Sequence, residues 1–529
     1  MKIIRYEGKL IDSYMVEYRV RTRTLMSFNV NIVEDEDGNL TYNVDIPELS
    51  PEEVKVMETL RDKVLDSISE KEMPTNEEDA LEFLFRETID IARRYLKWLR
   101  RFSETTIAKV IQWVLMEMRY GILTPFLADK KNVEDIHIPG VGRPIHVTHT
   151  AYGTTMKTNI IIDNDDDIDA LVQRLVHMAG RHVSVATPIV DAQLPDGSRV
   201  VVTYKREVSP EGSSLTIRLF KEEPITIAKI IESKTTSPLL AAYFWFLLEH
   251  HKNMMIVGVT GSGKTTLLNA LITFIPSNYK IVTVEEVREI RLPEDIYTNY
   301  EPLVVRPAYG SEKKGEVTLY DLVKATLRMR PDYLIVGEVR GEEAYVLFQA
   351  AATGHGTLST MHAETFEEAV QRLINPPMNV PYTFIPSMHL FLHISREKIF
   401  DYEKGIYRFI RRIREVGESI LDPRSELKIR FNIVCRWDPK DDTHILDYRR
   451  SIQLLKISET KGIDMTDIVN ELETRAKFLL WLSKQKLSYG DVSKLILQFS
   501  NQKKRKELLA KLRPEIETAV KNEYHMVTI

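Results

Sequence analysis

The segment Met254-Met255-Ile256-Val257-Gly258-Val259-Thr260-Gly261-Ser262-Gly263-Lys264-Thr265 leaves this chain few folds to choose from. It matches the phosphate-loop pattern of a Gly, four residues, then Gly-Lys-Thr. Met254 to Val257 reads as a buried strand and Thr265 to Leu271 as a helix, so the pattern falls at a strand-to-helix turn. Glycines there let successive N–H groups curl inward toward an anion, and the helix N-terminus adds its positive end. Gly258, Thr260, Gly261, Ser262, Gly263, Lys264, Thr265 and Thr266 are therefore the expected nucleotide contacts. Lys264 is placed to reach the β/γ-phosphates and the Thr265 hydroxyl to ligate Mg²⁺, which makes ATP and Mg²⁺ the implied cofactors. A chance match in a Gly-rich turn is the competing reading. The flanking strand and helix argue against it.

Composition narrows the rest. At 529 residues, three or four domains are expected. With 72 basic and 77 acidic residues the formal charge is −5, so no bulk field draws the chain to nucleic acid or anionic lipid. A single cysteine, Cys435, excludes an internal disulfide and a cysteine-based zinc site. The charged N-terminal residues are not followed by an apolar core, so no signal peptide is expected. The apolar run Leu239 to Leu248 is too short to span a bilayer and reads as a buried core helix. A cytosolic protein is the expectation, reaching membrane only through a partner.

Along the chain, residues 1–103 combine short β-like stretches (Met15 to Val20, Tyr42 to Ile46) with helices, one opened by a capping box at Thr75-Asn76-Glu77-Glu78. The helical part carries Arg93, Arg94, Lys97, Arg100 and Arg101, either a solvated face or a partner-docking surface. Residues 104–220 read as a small α+β domain, with strands at 133–138, 144–149, 200–204 and 215–219 and a helix at 166–179. Residues 221–238 read as a linker and 239–400 as an α/β core. Within that core, strands at 254–257, 281–285, 332–336 and 357–361 alternate with helices, implying a mostly parallel sheet with ligand beyond the strands' carboxyl ends. Residues 401–529 add paired strands (430–437 with 443–448) and helices at 451–460, 464–486, 488–499 and 501–512.

Hydrolysis needs carboxylates near the metal and the attacking water. Tyr333-Leu334-Ile335-Val336-Gly337-Glu338 is an apolar strand running out to an acid, and Val282-Thr283-Val284-Glu285-Glu286 repeats that shape. Glu338 is the first candidate for the water or the Mg²⁺ shell and Glu285 the second; a surface acid closing a strand is the alternative for each. His355 and His362 flank the strand Gly356 to Met361, whose start is expected to emerge near the phosphates. Their expected role is phosphate sensing or coupling rather than metal binding, because no third ligand has suitable spacing.

These boxes, in this order, resemble the type II/type IV secretion ATPase superfamily, and most closely its archaeal branch of archaellum motors and type IV pilus assembly ATPases. Ile281 to Pro293 resembles the branch's aspartate box, Ser359-Thr360-Met361-His362-Ala363-Glu364 its histidine box, and Asp191 to Val200 a motif of the preceding domain. Arg436-Trp437-Asp438-Pro439 extends the likeness into the C-terminal part. Glu286 stands where Asp is usual, and the bacterial tetracysteine zinc module is missing.

The resemblance implies a RecA-like phosphate-loop core preceded by a smaller α+β (PAS-like) domain, with a helical N-terminal region and a helical C-terminal region. It further implies a homo-hexameric ring that hydrolyses ATP at the cytoplasmic face of the cell membrane. Such a ring works on a polytopic membrane platform protein and, through it, on pilin-like or archaellin subunits. Arginines would complete the phosphate site, the matching positions being Arg199 and Arg218, with Arg328 and Arg330 as further candidates. The rival reading is a hexameric nucleic-acid motor, a helicase or DNA translocase, which would want a basic, aromatic-lined channel. The one basic run, Lys503-Lys504-Arg505-Lys506, lies in an amphipathic helix, so nucleic acid is not expected as a partner.

Overall fold

Alternation of apolar and polar side chains decides how the first 220 residues fold. In the computed structural model, which describes residues 2–4, 6–21, 23–69, 71, 74, 77–94, 102–220, 224–306, 315–401, 405–521 and 523, the chain divides into two units. The first is Met1–Glu222 with Lys398–Phe409, the second Glu223–Glu397 with Ile410–Ile529.

The first unit is built on a ten-stranded mixed sheet. Its strands are β1 (Lys2–Ile3), β2 (Lys9–Val20), β3 (Arg23–Glu34), β4 (Leu40–Val44), β5 (Val133–Ile138), β6 (Pro144–His149), β7 (Thr154–Ile161), β8 (Ile189–Gln193), β9 (Arg199–Thr203) and β10 (Ser214–Arg218). They run in the order β2-β3-β4-β7-β6-β5-β10-β9-β8, with β1 beside β7. In β9 and β10, Val200, Val202, Leu215 and Ile217 turn into the core while Arg199, Thr216 and Arg218 turn to solvent. The helix Asp165–Met178, capped by the Asn164 side chain, sets Ile168, Val172 and Leu175 into the same core.

The N-terminal region departs from expectation. Two twelve-residue strands, β2 and β3, stand where short β-like stretches in a helical region were expected. Bulges at Leu10/Asp12 and Tyr18/Arg19 break the period-two pattern of β2 and hide it from a reader of the sequence. These strands join the sheet of the following α+β segment, so the chain divides after Glu222 and not at 103/104. Asp129 helps to hold that junction, accepting from Tyr14 Oη at 2.9 Å and from Tyr42 Oη at 3.0 Å; burial pushes its carboxyl up. Helices Pro51–Ser69, Glu77–Arg94 and Glu104–Glu117 share a separate apolar cluster around Leu60, Val64, Leu84 and Val114. Thr75 and Asn76 of the expected capping box lie outside the described residues, as do Lys97, Arg100 and Arg101.

The second unit carries a nine-stranded mixed sheet. Its strands are β11 (Met254–Gly258), β12 (Ile281–Glu285), β13 (Tyr300–Val304), β14 (Tyr333–Val336), β15 (Gly356–His362), β16 (Leu390–Asp401), β17 (Ile406–Leu421), β18 (Ile429–Asp438) and β19 (Thr443–Leu446). The order is β13-β12-β14-β15-β11-β16-β17-β18-β19. The strands from β13 to β16 are mutually parallel, and β17 to β19 pair antiparallel. The expected parallel core is therefore present, and β16 to β19 extend its sheet instead of forming a separate C-terminal region.

Pro238–Glu249 is the expected core helix, buried from Pro238 to Leu248. No helix among the described residues is long and apolar enough to cross a membrane. The expected linker is also corrected. Within 221–238, Ile227–Glu232 is a helix capped by Thr226 that buries Ile227, Ile230 and Ile231 in the second unit's core. At the C-terminus, Ile452–Lys461, Met465–Ser483, Tyr489–Ser500 and Gln502–Lys521 follow as helices, the last running past Pro514 because Leu512, Ile516 and Val520 continue its buried stripe. A buried arginine, Arg475, ties this bundle to the core helix, donating to Glu249 Oε2 at 2.6 Å and to Glu471 Oε1 at 2.7 Å.

Candidate functional site

Gly258 ends β11 where no side chain fits, since a Cβ there would lie 2.3 Å from the Ile394 carbonyl oxygen of neighbouring β16. Gly261 (φ +74°) and Gly263 (φ +97°) then take left-handed backbone, and the helix Lys264–Leu271 begins. The helix's first N–H groups have no partner within it, so the turn presents donors and a positive dipole end. Ser262 Oγ is buried there with no hydrogen-bond partner. Thr260 is exposed, and Thr265 and Thr266 are half-buried in the first helical turn.

Lys264 is folded back onto its own strand end, donating from Nζ to Gly258 O and Val259 O, both at 2.9 Å. Burial pushes its ammonium down to about 8, with the Glu338 charge opposing the shift. The β11–β15 register sets His362 directly beside Gly258. His362 Nδ1 lies 3.5 Å from Lys264 Nζ and 3.5 Å from Thr260 Oγ1, while Nε2 lies 3.2 Å from Glu338 Oε1. Burial, then the Lys264 charge, lowers its pKa against the pull of Glu338, which favours a neutral ring with its proton on Nε2. Arg340 lies 3.7 Å from Glu338 Oε2 and 2.7 Å from Glu286 Oε2. A continuous polar chain thus runs Lys264–His362–Glu338–Arg340–Glu286 along the carboxyl ends of β11, β15, β14 and β12.

Glu285 is built differently. It is 3% exposed; Oε1 accepts the N–H groups of Glu289 and Ile290, both at 2.9 Å, and Oε2 is buried without a partner. Burial pushes its carboxyl up to about 7, against the two N–H bonds. Glu343 Oε1 accepts from the Arg340 and Gly341 N–H groups, both at 2.7 Å, and so holds the turn that follows Glu338.

The other expected residues lie elsewhere. It is the end of β15, not its start, that reaches the loop. His355 precedes the strand's amino end, about 20 Å of extended chain from His362, and its Nδ1 is 3.3 Å from Ala350 O. Arg328 and Arg330 precede β14, again at the amino end. Arg199 and Arg218 belong to the first unit, where they are cross-strand partners. Arg199 pairs there with Asp191, and Arg218 Nε donates to Asp135 at 3.0 Å. In the basic run 503–506, Arg505 is held by Glu471 at 2.7 Å.

No cluster of three or more His, Cys, Asp or Glu among the described residues is arranged to hold a metal. Mg²⁺ keeps several waters and takes one or two protein oxygens, so it does not require such a cluster. Thr265 lies in the first turn of the helix and Glu338 follows β14, separated from β11 by β15, and Ser262 Oγ and Glu285 Oε2 are buried without partners. Two participants were not singled out from the sequence, and a third, Glu286, was noted only as standing where Asp is usual. Arg340 carried a signal, because it stands two residues after the candidate Glu338. Glu343 carried none beyond an acid in a first helical turn.

The family model described as "Type II/IV secretion system protein" matches residues 127–388. An uncharacterised protein of Methanocaldococcus jannaschii is 38% identical over 371 residues, 69% of this chain and 65% of that protein, so the chain spans under two thirds of it. A second from the same organism is 42% identical over 271 residues, 51% of this chain and 96% of that protein. The type IV secretion system protein PtlH of Bordetella pertussis is 34% identical over 232 residues, 39% of this chain and 67% of its own length.

Proposed function

The chain belongs to the type II/IV secretion system protein family, on the side of its archaeal relatives, and from that premise we propose that it is an ATP hydrolase powering a secretion or filament-assembly machine. The observation that carries this reading is the chain Lys264–His362–Glu338 lying across the phosphate-loop turn. In this reading the second unit is the RecA-like core and the first a PAS-like partner domain.

The residues divide the work by position. The N–H groups of Gly261 to Thr265 receive the phosphates. Lys264 exchanges two neutral carbonyls, Gly258 O and Val259 O, for phosphate oxygens, which restores its charge in a site where burial had weakened it. Mg²⁺, held by the Thr265 hydroxyl with Glu338 in its surroundings, would neutralise charge across the β- and γ-phosphates. Glu338 orients the attacking water. His362 touches both Lys264 and Glu338, so loss of the γ-phosphate reaches the carboxylate through one ring.

Arg199 and Arg218, cross-strand partners within the first unit, are the arginines that the family resemblance would assign to the phosphate charge. A homo-hexameric ring on the cytoplasmic face of a membrane platform protein, acting on pilin-like or archaellin subunits, is the assembly this reading entails. Measuring ATP turnover of the purified chain with Lys264→Ala and Glu338→Gln alongside, with and without DNA, tests it. Turnover lost in both variants and indifferent to DNA supports it. Turnover only with DNA would move the assignment to a nucleic-acid motor.

A further inference from the structure

The strands that follow residue 388 lie outside the segment matched by the family model, yet one of them forms a wall of the phosphate-loop turn. β16 pairs with β11 and brings the Ile394 carbonyl against Gly258. From β17, Arg411 Nε donates to Gly261 O at 3.2 Å. A Cβ at Gly263 would lie 3.0 Å from Arg411 Cδ, and one at Gly261 would lie 3.7 Å from Arg396 Nη1. Two guanidinium side chains therefore flank the two left-handed glycines.

The next residue explains how the first is held. Successive side chains on a strand point to opposite faces. Arg412, 4% exposed, grips Asp442 with both arms, Nε to Oδ1 at 2.7 Å and Nη2 to Oδ2 at 2.9 Å, and Nη1 donates to Ser233 O at 3.0 Å. Trp437 Nε1 donates to the same Asp442 Oδ1 at 3.0 Å. The pair locks β17 in register, and that register lays Arg411 across the loop.

We propose that Arg411 is a positioning residue for the phosphate loop. Its Nε–H holds the Gly261 carbonyl outward so that the neighbouring N–H groups face the nucleotide's phosphates, and its charge adds to the attraction for a polyanion. The inference rests on reading 258–265 as the phosphate cradle. A carbonyl turned inward would set a partial negative charge against the phosphates and remove a donor from the cradle. The residue acts through the loop and not on the reacting atoms, so it governs nucleotide affinity more than the chemical step.

The test compares full-length wild type, Arg411→Gln, Arg411→Lys and Arg414→Gln, the last removing one exposed charge from the same strand. Two readouts are needed: kcat and KM for Mg-ATP, and amide hydrogen exchange of residues 259–264 without nucleotide. Arg411→Gln is expected to raise KM about tenfold with kcat within about twofold, and to speed loop exchange about fivefold. Arg411→Lys should recover part of the KM through its charge, and Arg414→Gln should leave both readouts as in wild type. An Arg411→Gln protein with wild-type KM overturns the proposal, as does an equal KM rise in Arg414→Gln, which would make the effect one of bulk charge. If the wild type turns over no ATP, the ATPase reading fails by itself. The exchange comparison then decides alone, and unchanged loop protection in Arg411→Gln sinks the positioning role.

Discussion

Glu285 and Glu338 look alike in sequence, each closing a short apolar strand, and the two strands are neighbours in the sheet. Their surroundings are opposite. Glu338 is about one-third exposed and faces two cationic or proton-bearing groups, His362 and Arg340. Glu285 is enclosed, faces only backbone N–H groups through one oxygen, and has its carboxyl raised to about 7. Burial favours the protonated form of a carboxylate, here against the two N–H bonds and the pull of the Arg288 charge. A carboxylate that must hold a metal's water shell or orient a nucleophile needs to be reachable, and Glu338, beside His362 and Arg340, is. Glu285 instead braces the 285–290 turn. The motif shape names a pair of candidates, and solvation ranks them.

The largest effect should come from Glu338→Gln. Loss of a group acting only in the transition state lowers kcat by about 10²–10³-fold and leaves ATP affinity within about threefold. Glu285→Gln, which keeps an acceptor oxygen for the Glu289 and Ile290 N–H groups, should cost less than about tenfold in kcat. Single-turnover rates with separate nucleotide-binding measurements decide this, and equal losses in the two variants would break the contrast.

Glu285 should show itself in stability. Its folded pKa is raised above the unfolded value, so its contribution is fully present below pH 4.5 and is lost as pH rises toward and through about 7. The span corresponds to a contribution on the order of 3 kcal/mol. Urea unfolding at pH 5 and pH 8 should show stability falling across that window in wild type and a flatter profile in Glu285→Gln. A wild-type profile that does not fall from pH 5 to 8, and is unchanged by the substitution, would show that Glu285 is not held as a buried protonated acid.

The histidines carry the next effect. His362→Ala removes the group between Lys264 and Glu338 and should cost about tenfold in turnover, since a misplaced reacting group loses up to about a hundredfold. His355→Ala, at the other end of the strand, should stay within about twofold. The pH profile of kcat/KM sharpens the same point. Lys264, at about 8 in the free protein, should make kcat/KM fall about tenfold per pH unit above that value.

How much of this was legible in the sequence follows from the kind of interaction involved. The loop, the parallel core strands and the C-terminal helices could be read because local pattern specifies them: glycines at left-handed positions, apolar runs four or five residues long, and Ser or Asp caps such as Ser488 and Asp464. The long strands β2 and β3 could not, because bulges break their period and polar residues fill their outer face. Long-range register was also out of reach. Nothing in Gly356 to His362 says which end lies beside Gly258; pairing with β11 decides it. Arg411 is the extreme case. It stands about 150 residues from the glycine carbonyl it holds, and only the addition of β16 and β17 to the core sheet joins them.

The smallest effect is expected at Glu286, where the related box commonly carries Asp. Its bond to Arg340 is 2.7 Å long, but the two side chains are 46% and 58% exposed. Ion pairs of that exposure contribute about 0–1 kcal/mol. Glu286→Asp draws the carboxylate back by one methylene, loosens the pair and leaves Arg340 nearer in effect to Glu338 alone. Unfolding free energy should change by less than about 1 kcal/mol and turnover by about twofold, with the difference fading in 0.5 M salt, where the Debye length is only about 4 Å. A loss of tenfold or more that persists in salt would mean that Glu286, and not the exposure of Glu338 against the burial of Glu285, sets the charge at the site. The acid to compare with Glu338 would then be the one bound to Arg340.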